Sequence, residues 1–179
     1  MPEMIAPILL YGYGNPSRGD DGLGPALVAA LEKHPLEGVA LDANFQLSLE
    51  DAQTITEYGT VIFADASTTC QGPFTFEKID ENGNTVVGWT SHSMKPRQLV
   101  ALANNLFQRR IEAYELAIRG YEFGDFCEEL SCEAKANLSQ TLDFIRGMVS
   151  KRHATRPASV SPNRTAGTTS GSMNRKAQP

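Results

Sequence analysis

Apolar and polar positions alternate between two periods along the first 150 residues. Residues 8–13 form a short apolar run, the pattern of a strand, and end in a glycine-rich turn over residues 12–22. Leu23, Leu27, Ala30 and Leu31 then share one helical face, and Pro35 follows them. Residues 39–42 read as a second strand. Residues 47–58 read as a second helix, with Ser48 as N-cap and Glu50 and Asp51 in its first turn. Residues 60–64 form a compact apolar run, with the character of a central parallel strand. Segments 74–79 and 85–90 flank Asn82-Gly83-Asn84, which is a hairpin signal. Residues 96–107 carry proline in the first turn and a stripe of Leu99, Leu102, Ala103 and Leu106. Residues 112–118 read as another strand. Ser131 opens a last helix whose inward face holds Ala134, Leu138, Leu142, Ile145 and Val149. The order β-α-β-α-β, hairpin, α, β, α is that of an α/β protein. Right-handed crossovers place its functional loops at the carboxyl ends of the strands.

Composition sets the limits of this domain. The pattern stops near Ser150, so residues 1–150 read as one α/β domain and 151–179 as a tail. The tail is rich in Ser, Thr and Pro, and Val160 is its only β-branched aliphatic residue. It cannot bury enough surface to offset its ordering entropy, which predicts disorder. It carries 6 of the 16 basic residues and none of the 21 acidic ones, leaving residues 1–150 strongly acidic. An acidic domain disfavours nucleic acid as the main partner, and the tail has no aromatic residue for stacking on bases. No apolar stretch approaches the ~18 residues of a membrane span. The first ten residues have no basic start and are broken by Pro7, unlike a secretory signal. Together these predict a cytoplasmic protein. Three cysteines, Cys70, Cys127 and Cys132, fit neither a disulfide framework nor a CxxC zinc pattern.

Candidate chemistry lies at three places near the predicted carboxyl edge. The first is Gly12-Tyr13-Gly14-Asn15-Pro16-Ser17-Arg18-Gly19-Asp20-Asp21-Gly22-Leu23-Gly24. A dinucleotide site fits it poorly, since Ser17 stands where the third glycine belongs, and no P-loop lysine is present. An ordinary tight turn with an acidic helix start explains it equally well. The second is Asp65, directly after the buried strand, where a carboxylate is costly unless it has partners; capping the next turn is its simplest use. The third is His92, ahead of the 96–107 helix. His34 ends the first helix and His153 lies in the tail, so His92 is the one histidine near the functional edge. Taken together, two carboxylates and an imidazole make an O, O, N set suited to a borderline divalent metal such as nickel or zinc, with positions left open for a substrate. The chain has no GxSxG, HExxH or Cys-His signature to compete with it.

These residues resemble the [NiFe]-hydrogenase maturation endopeptidases, the proteases that process the C-terminus of the hydrogenase large subunit. The resemblance covers roughly residues 5–149 and rests above all on the segment from Gly12 to Gly24. Asp65, His92 and Leu130-Ser131 follow in the family's order. The resemblance implies an open twisted, mostly parallel sheet with helices on both faces. It implies a nickel-dependent endopeptidase that removes the C-terminal extension of a large-subunit precursor already carrying nickel. Carried over by position, Asp21, Asp65 and His92 are the metal-recognising and catalytic residues, with Asp21 preferred to Asp20 because it matches the carboxylate nearer the helix. Nickel would come with the precursor rather than reside in the free enzyme, and a monomer suffices for the task. Where many members carry a glycine-glycine-threonine segment, this chain reads Ala43-Asn44-Phe45-Gln46-Leu47, which bears on which precursor is accepted. The neighbouring stretch from Gln46 to Asp51 resembles proteases serving soluble, bidirectional-type hydrogenases. Three other readings stand beside this one: a non-proteolytic nickel-dependent chaperone of the large subunit, a nucleotide-binding enzyme, and a related protease that ignores nickel.

Overall fold

The computed structural model describes residues 8–80 and 94–154. Its elements are β1 (Ile8–Tyr13), α1 (Leu23–Glu32), β2 (Val39–Asn44), α2 (Asp51–Thr54), β3 (Thr60–Ser67), β4 (Phe74–Lys78), α3 (Pro96–Phe107), β5 (Glu112–Arg119) and α4 (Cys132–Ala154). The strands form one sheet in the order β2-β1-β3-β5-β4. The β1–β2, β1–β3 and β3–β5 pairs are parallel, and β4 runs antiparallel to β5 at the edge. Among the described residues no helix is long and apolar enough to cross a membrane.

Burial on both faces explains the continuous apolar runs. Leu10, Ile62, Leu116 and Ile118 pack on one face with Leu23 and Leu27 of α1 and Ala134 and Ile145 of α4. Leu9, Tyr11, Val61, Phe63 and Ala113 pack on the other with Ala52 of α2 and Leu99, Val100 and Ala103 of α3. A parallel sheet covered on both sides needs apolar residues at odd and even positions alike. Helix α1 also lies unusually close to the sheet. A Cβ on Gly24 would stand 2.4 Å from the Tyr13 carbonyl oxygen and 2.5 Å from that of Ala64. Gly24 therefore serves helix-to-strand contact rather than phosphate binding.

Four expectations change in detail. The 74–79 segment does form a strand, but β4 joins the main sheet through β5. Phe76 stacks on Tyr114 at 4.7 Å, and Phe74 and Phe76 both meet Phe144 of α4, which anchors this edge. The hairpin's turn and its second strand, 85–90, lie outside the described residues. The second helix begins only at Asp51 and tightens into a 3-10 turn at Ile55–Glu57. Ser48 does not accept from the helix; its N–H and hydroxyl both donate to the Asp51 carboxylate, at 2.7 and 3.0 Å. The last helix continues to Ala154, past the expected boundary at 150. Arg152 donates to Glu112 at 2.7 Å and to Thr60 at 3.1 Å, and the His153 ring bonds the Glu37 carbonyl at 2.9 Å. These contacts pin the end of α4 to the amino ends of the strands. Residues 155–179 lie outside the described set.

Candidate active site

The site is built where β1 and β3 end side by side. Their register pairs Gly12 with Ala64, so Tyr13 and Asp65 lie next to each other one step further on. Alternation along the strands puts both on the face that holds Tyr11 and Phe63. The Tyr13 hydroxyl donates to the Asp65 carboxylate, and the Ala66 N–H donates to Asp65 Oδ1 at 2.7 Å. Burial raises the Asp65 carboxyl from 3.8 to about 6. The charges of Asp21 and Glu115 push in the same direction, against the two hydrogen bonds. Burial, with the negative charges of Asp65 and Glu115, also raises Tyr13, which stays a proton donor.

Asp21 reaches the same place from the loop after β1. Its Oδ2 accepts the Asn15 N–H at 3.1 Å, which closes the loop on itself. Asn15 Oδ1 in turn accepts the Ser17 N–H at 2.9 Å. Gly14 lies between the two acids with φ of +136°, a conformation that side chains rarely adopt. A Cβ there would fall 2.0 Å from the Asp21 carbonyl oxygen, with Asp65 Oδ1 at 3.8 Å. The bare backbone at Gly14 is thus what lets the Asp21 main chain pass this close, beside the Asp65 carboxylate. Its N–H donates to the Asn44 carbonyl at 3.1 Å, which ties in the end of β2, where Phe45 is exposed.

Of the three residues singled out from sequence, the fold brings Asp21 and Asp65 together, and His92 lies outside the described residues. Among the described residues no group of three His, Cys, Asp or Glu side chains is placed to hold a metal ion. Asp21 and Asp65 could still supply oxygen donors to a divalent cation.

The neighbouring Asp20 has a different task. It is fully buried and accepts four hydrogen bonds: from the N–H groups of Tyr121, Glu122 and Ser131 at 2.7, 2.9 and 2.7 Å, and from the Ser131 hydroxyl at 2.7 Å. Burial alone would raise its carboxyl, but these bonds outweigh burial and hold it below the ordinary carboxylate value. Ser131 still caps α4, accepting the Ala134 N–H at 3.2 Å. The clamp fastens the site loop to the segment between β5 and α4. Sequence reading left Asp20 without this role and did not single out Tyr13. The signal for Tyr13 was its position two residues beyond Tyr11 on the same strand face. Nothing local in the sequence marks Asp20 as the buried member of the acidic pair.

No protein-family profile matches this chain, and no curated protein matches it. Solved structures do. A hydrogenase 2 maturation peptidase from Thaumarchaeota archaeon SCGC_AB-539-E09 is 22% identical, with 80% of this chain and 97% of that one covered at a TM-score of 0.60. The [NiFe] hydrogenase maturation protease HycI from Thermococcus kodakarensis KOD1 is 18% identical, with coverages of 83% and 95% and a TM-score of 0.64. The hydrogenase maturating endopeptidase HybD from E. coli is 18% identical, with coverages of 82% and 93% and a TM-score of 0.61. The paired carboxylates at the carboxyl edge therefore sit in a chain that has the fold of the hydrogenase maturation peptidases.

Proposed function

We propose that this chain is an endopeptidase that removes the C-terminal extension of a [NiFe]-hydrogenase large-subunit precursor after nickel has been inserted. The observation that carries this reading is the meeting of Asp21 and Asp65 across Gly14, at the carboxyl edge of a fold shared with peptidases of that activity. Nickel belongs to the precursor here. Asp21 and Asp65 would meet it as oxygen ligands, with His92 as the third ligand assigned from sequence. Such a site ties cleavage to metal loading, because a precursor without nickel gives the carboxylates nothing to bind.

Asp65 is the better placed base. Before the nickel-bearing segment docks, burial raises its carboxyl to about 6, which makes it a stronger base than an ordinary carboxylate. It would take a proton from the attacking water, while Tyr13 fixes the direction of its carboxylate. Asp21, held by the Asn15 N–H, would orient the metal-bearing segment.

The test is incubation of the purified protein with a hydrogenase large-subunit precursor, with and without nickel, read by intact mass. Loss of a C-terminal peptide from the nickel-loaded precursor alone is expected, and Asp21→Ala, Asp65→Ala and His92→Ala should each abolish it. Tight binding with no mass loss would replace this reading with the chaperone. Cleavage that ignores nickel would remove the metal from the proposal.

A further inference from the structure

The loop between β5 and α4 carries a feature that the cleavage site does not use. Phe126 is 99% exposed and holds φ at +61°. Both facts are unfavourable for a phenylalanine. A left-handed backbone is strained for a residue with a bulky side chain, and the ring gains nothing from burial.

The position is nevertheless fixed on both sides. The Cys127 N–H donates to the Ser17 carbonyl at 3.1 Å, and the Gly19 N–H donates to the Cys127 carbonyl at 2.6 Å. Arg18 Nε meets Asp125 Oδ1 at 3.0 Å. The Asp20 N–H donates to the Glu122 carbonyl at 2.8 Å, and the Asp20 carboxylate accepts from Tyr121 and Glu122. Ser17 to Asp20 is the stretch that leads directly into Asp21. The ring is therefore presented by a loop sewn to the catalytic loop, not by a free surface turn. Four acids of the presenting loop, Glu122, Asp125, Glu128 and Glu129, are exposed; Asp125 pairs with Arg18, and Glu129 lies 3.9 Å from Lys135.

We propose that Phe126 and the acidic groups around it form a docking surface for the precursor, taking a basic segment that carries an apolar side chain. This deepens the endopeptidase reading and rests on it. The apolar ring would supply contact area, and the acids would select positive charge and speed encounter. Because the loop is bonded to Ser17, Arg18, Gly19 and Asp20, the residues that lead into Asp21, a precursor seated on Phe126 is held in fixed register with the carboxylates. Strain at Phe126 is then the kind retained at functional sites.

The experiment is steady-state processing of a nickel-loaded large-subunit precursor by the full chain and by three variants. Phe126→Asn suits a left-handed backbone and removes the ring. Phe126→Trp keeps an aromatic side chain. Glu122→Gln combined with Glu128→Gln removes two charges without touching the ring. Phe126→Asn should raise KM about tenfold or more and leave kcat within about twofold, the pattern of lost ground-state binding. Phe126→Trp should stay near wild type. The double variant should flatten the rise of KM with salt. Wild-type KM in Phe126→Asn, with wild-type processing intact, would overturn the docking surface and leave the endopeptidase reading standing. No processing by the wild type would overturn both.

Discussion

Replacing Asp65 by asparagine should make the protein more stable as it destroys the site. The carboxyl sits at about 6 rather than 3.8 because it is buried beside Tyr13, with the charges of Asp21 and Glu115 in reach. A difference of that size corresponds to about 3 kcal/mol between the charged and neutral forms. Asp65 is only partly buried, so about 2 to 3 kcal/mol is the expected gain. The sign follows from proton linkage. Below pH 3.8 the carboxyl is protonated in folded and unfolded chains alike, and it costs nothing. Between 3.8 and about 6 the unfolded chain loses its proton first, so folding stability falls as pH rises. Above about 6 the full penalty applies. Asparagine is never charged, and its amide oxygen can keep the Ala66 and Tyr13 donors. Urea unfolding of wild type and Asp65→Asn at pH 4 and pH 8 is the assay. The variant should lead by about 2 to 3 kcal/mol at pH 8, or roughly 5–10 °C in Tm, and the lead should shrink towards pH 4. A variant no more stable than wild type at pH 8, or one whose advantage ignores pH, would refute the assignment of cost to this carboxylate.

Other perturbations reach different parts of the argument. Asp20→Ala leaves the N–H groups of Tyr121, Glu122 and Ser131 buried without an acceptor, and should cost about 3 kcal/mol or more in urea unfolding. Because the Asp20 carboxyl is held below its ordinary value, its contribution is present above that value and lost as pH falls further. Gly24→Ala drives a methyl group against two backbone carbonyls of β1 and β3, which cannot yield as a side chain would, so a loss of about 3 kcal/mol or more is expected in the same assay. Glu112 meets Tyr114, Arg152 and Lys78 at 2.8, 2.7 and 3.3 Å; burial opposes these bonds, yet they bring its carboxyl from 4.5 to about 2. Its stabilisation should therefore fade between pH 4.5 and 2, and Glu112→Gln should flatten that limb of an acid titration followed by circular dichroism.

What was legible in the sequence was whatever a local pattern fixes. Helix α3, Pro96–Phe107, matched its expected limits because its proline start and apolar stripe are both local signals. Strands β1 and β3 were legible because burial on two faces gives them continuous apolar stretches, Ile8 to Leu10 and Val61 to Ala64. The second helix was overextended, since Ser48 and Asp51 bond to each other before the helix begins and so move its start. The edge placement of β4 depends on Tyr114 and Phe144, residues far along the chain, and no hairpin signal encodes them. In the site, Asp65 was marked by its place beside an apolar run, and Asp21 was preferred to Asp20 only through the family resemblance. The passage of Asp21 beside Asp65 at Gly14, the hydroxyl of Tyr13 and the clamp of Asp20 needed the register between strands. That register is set by packing over the whole sheet.

The Asp20 clamp bears on how the protein is made. It joins positions 101 to 111 residues apart, and one of its donors is Ser131, the residue that caps α4. Closing so long a loop late is the entropically demanding part of folding. A ribosome-bound chain that has not yet released α4 lacks the contacts that hold the site loop in place. Order in the site loop should accordingly appear in refolding after most of the helical signal, and a nascent chain should lack it until α4 has emerged.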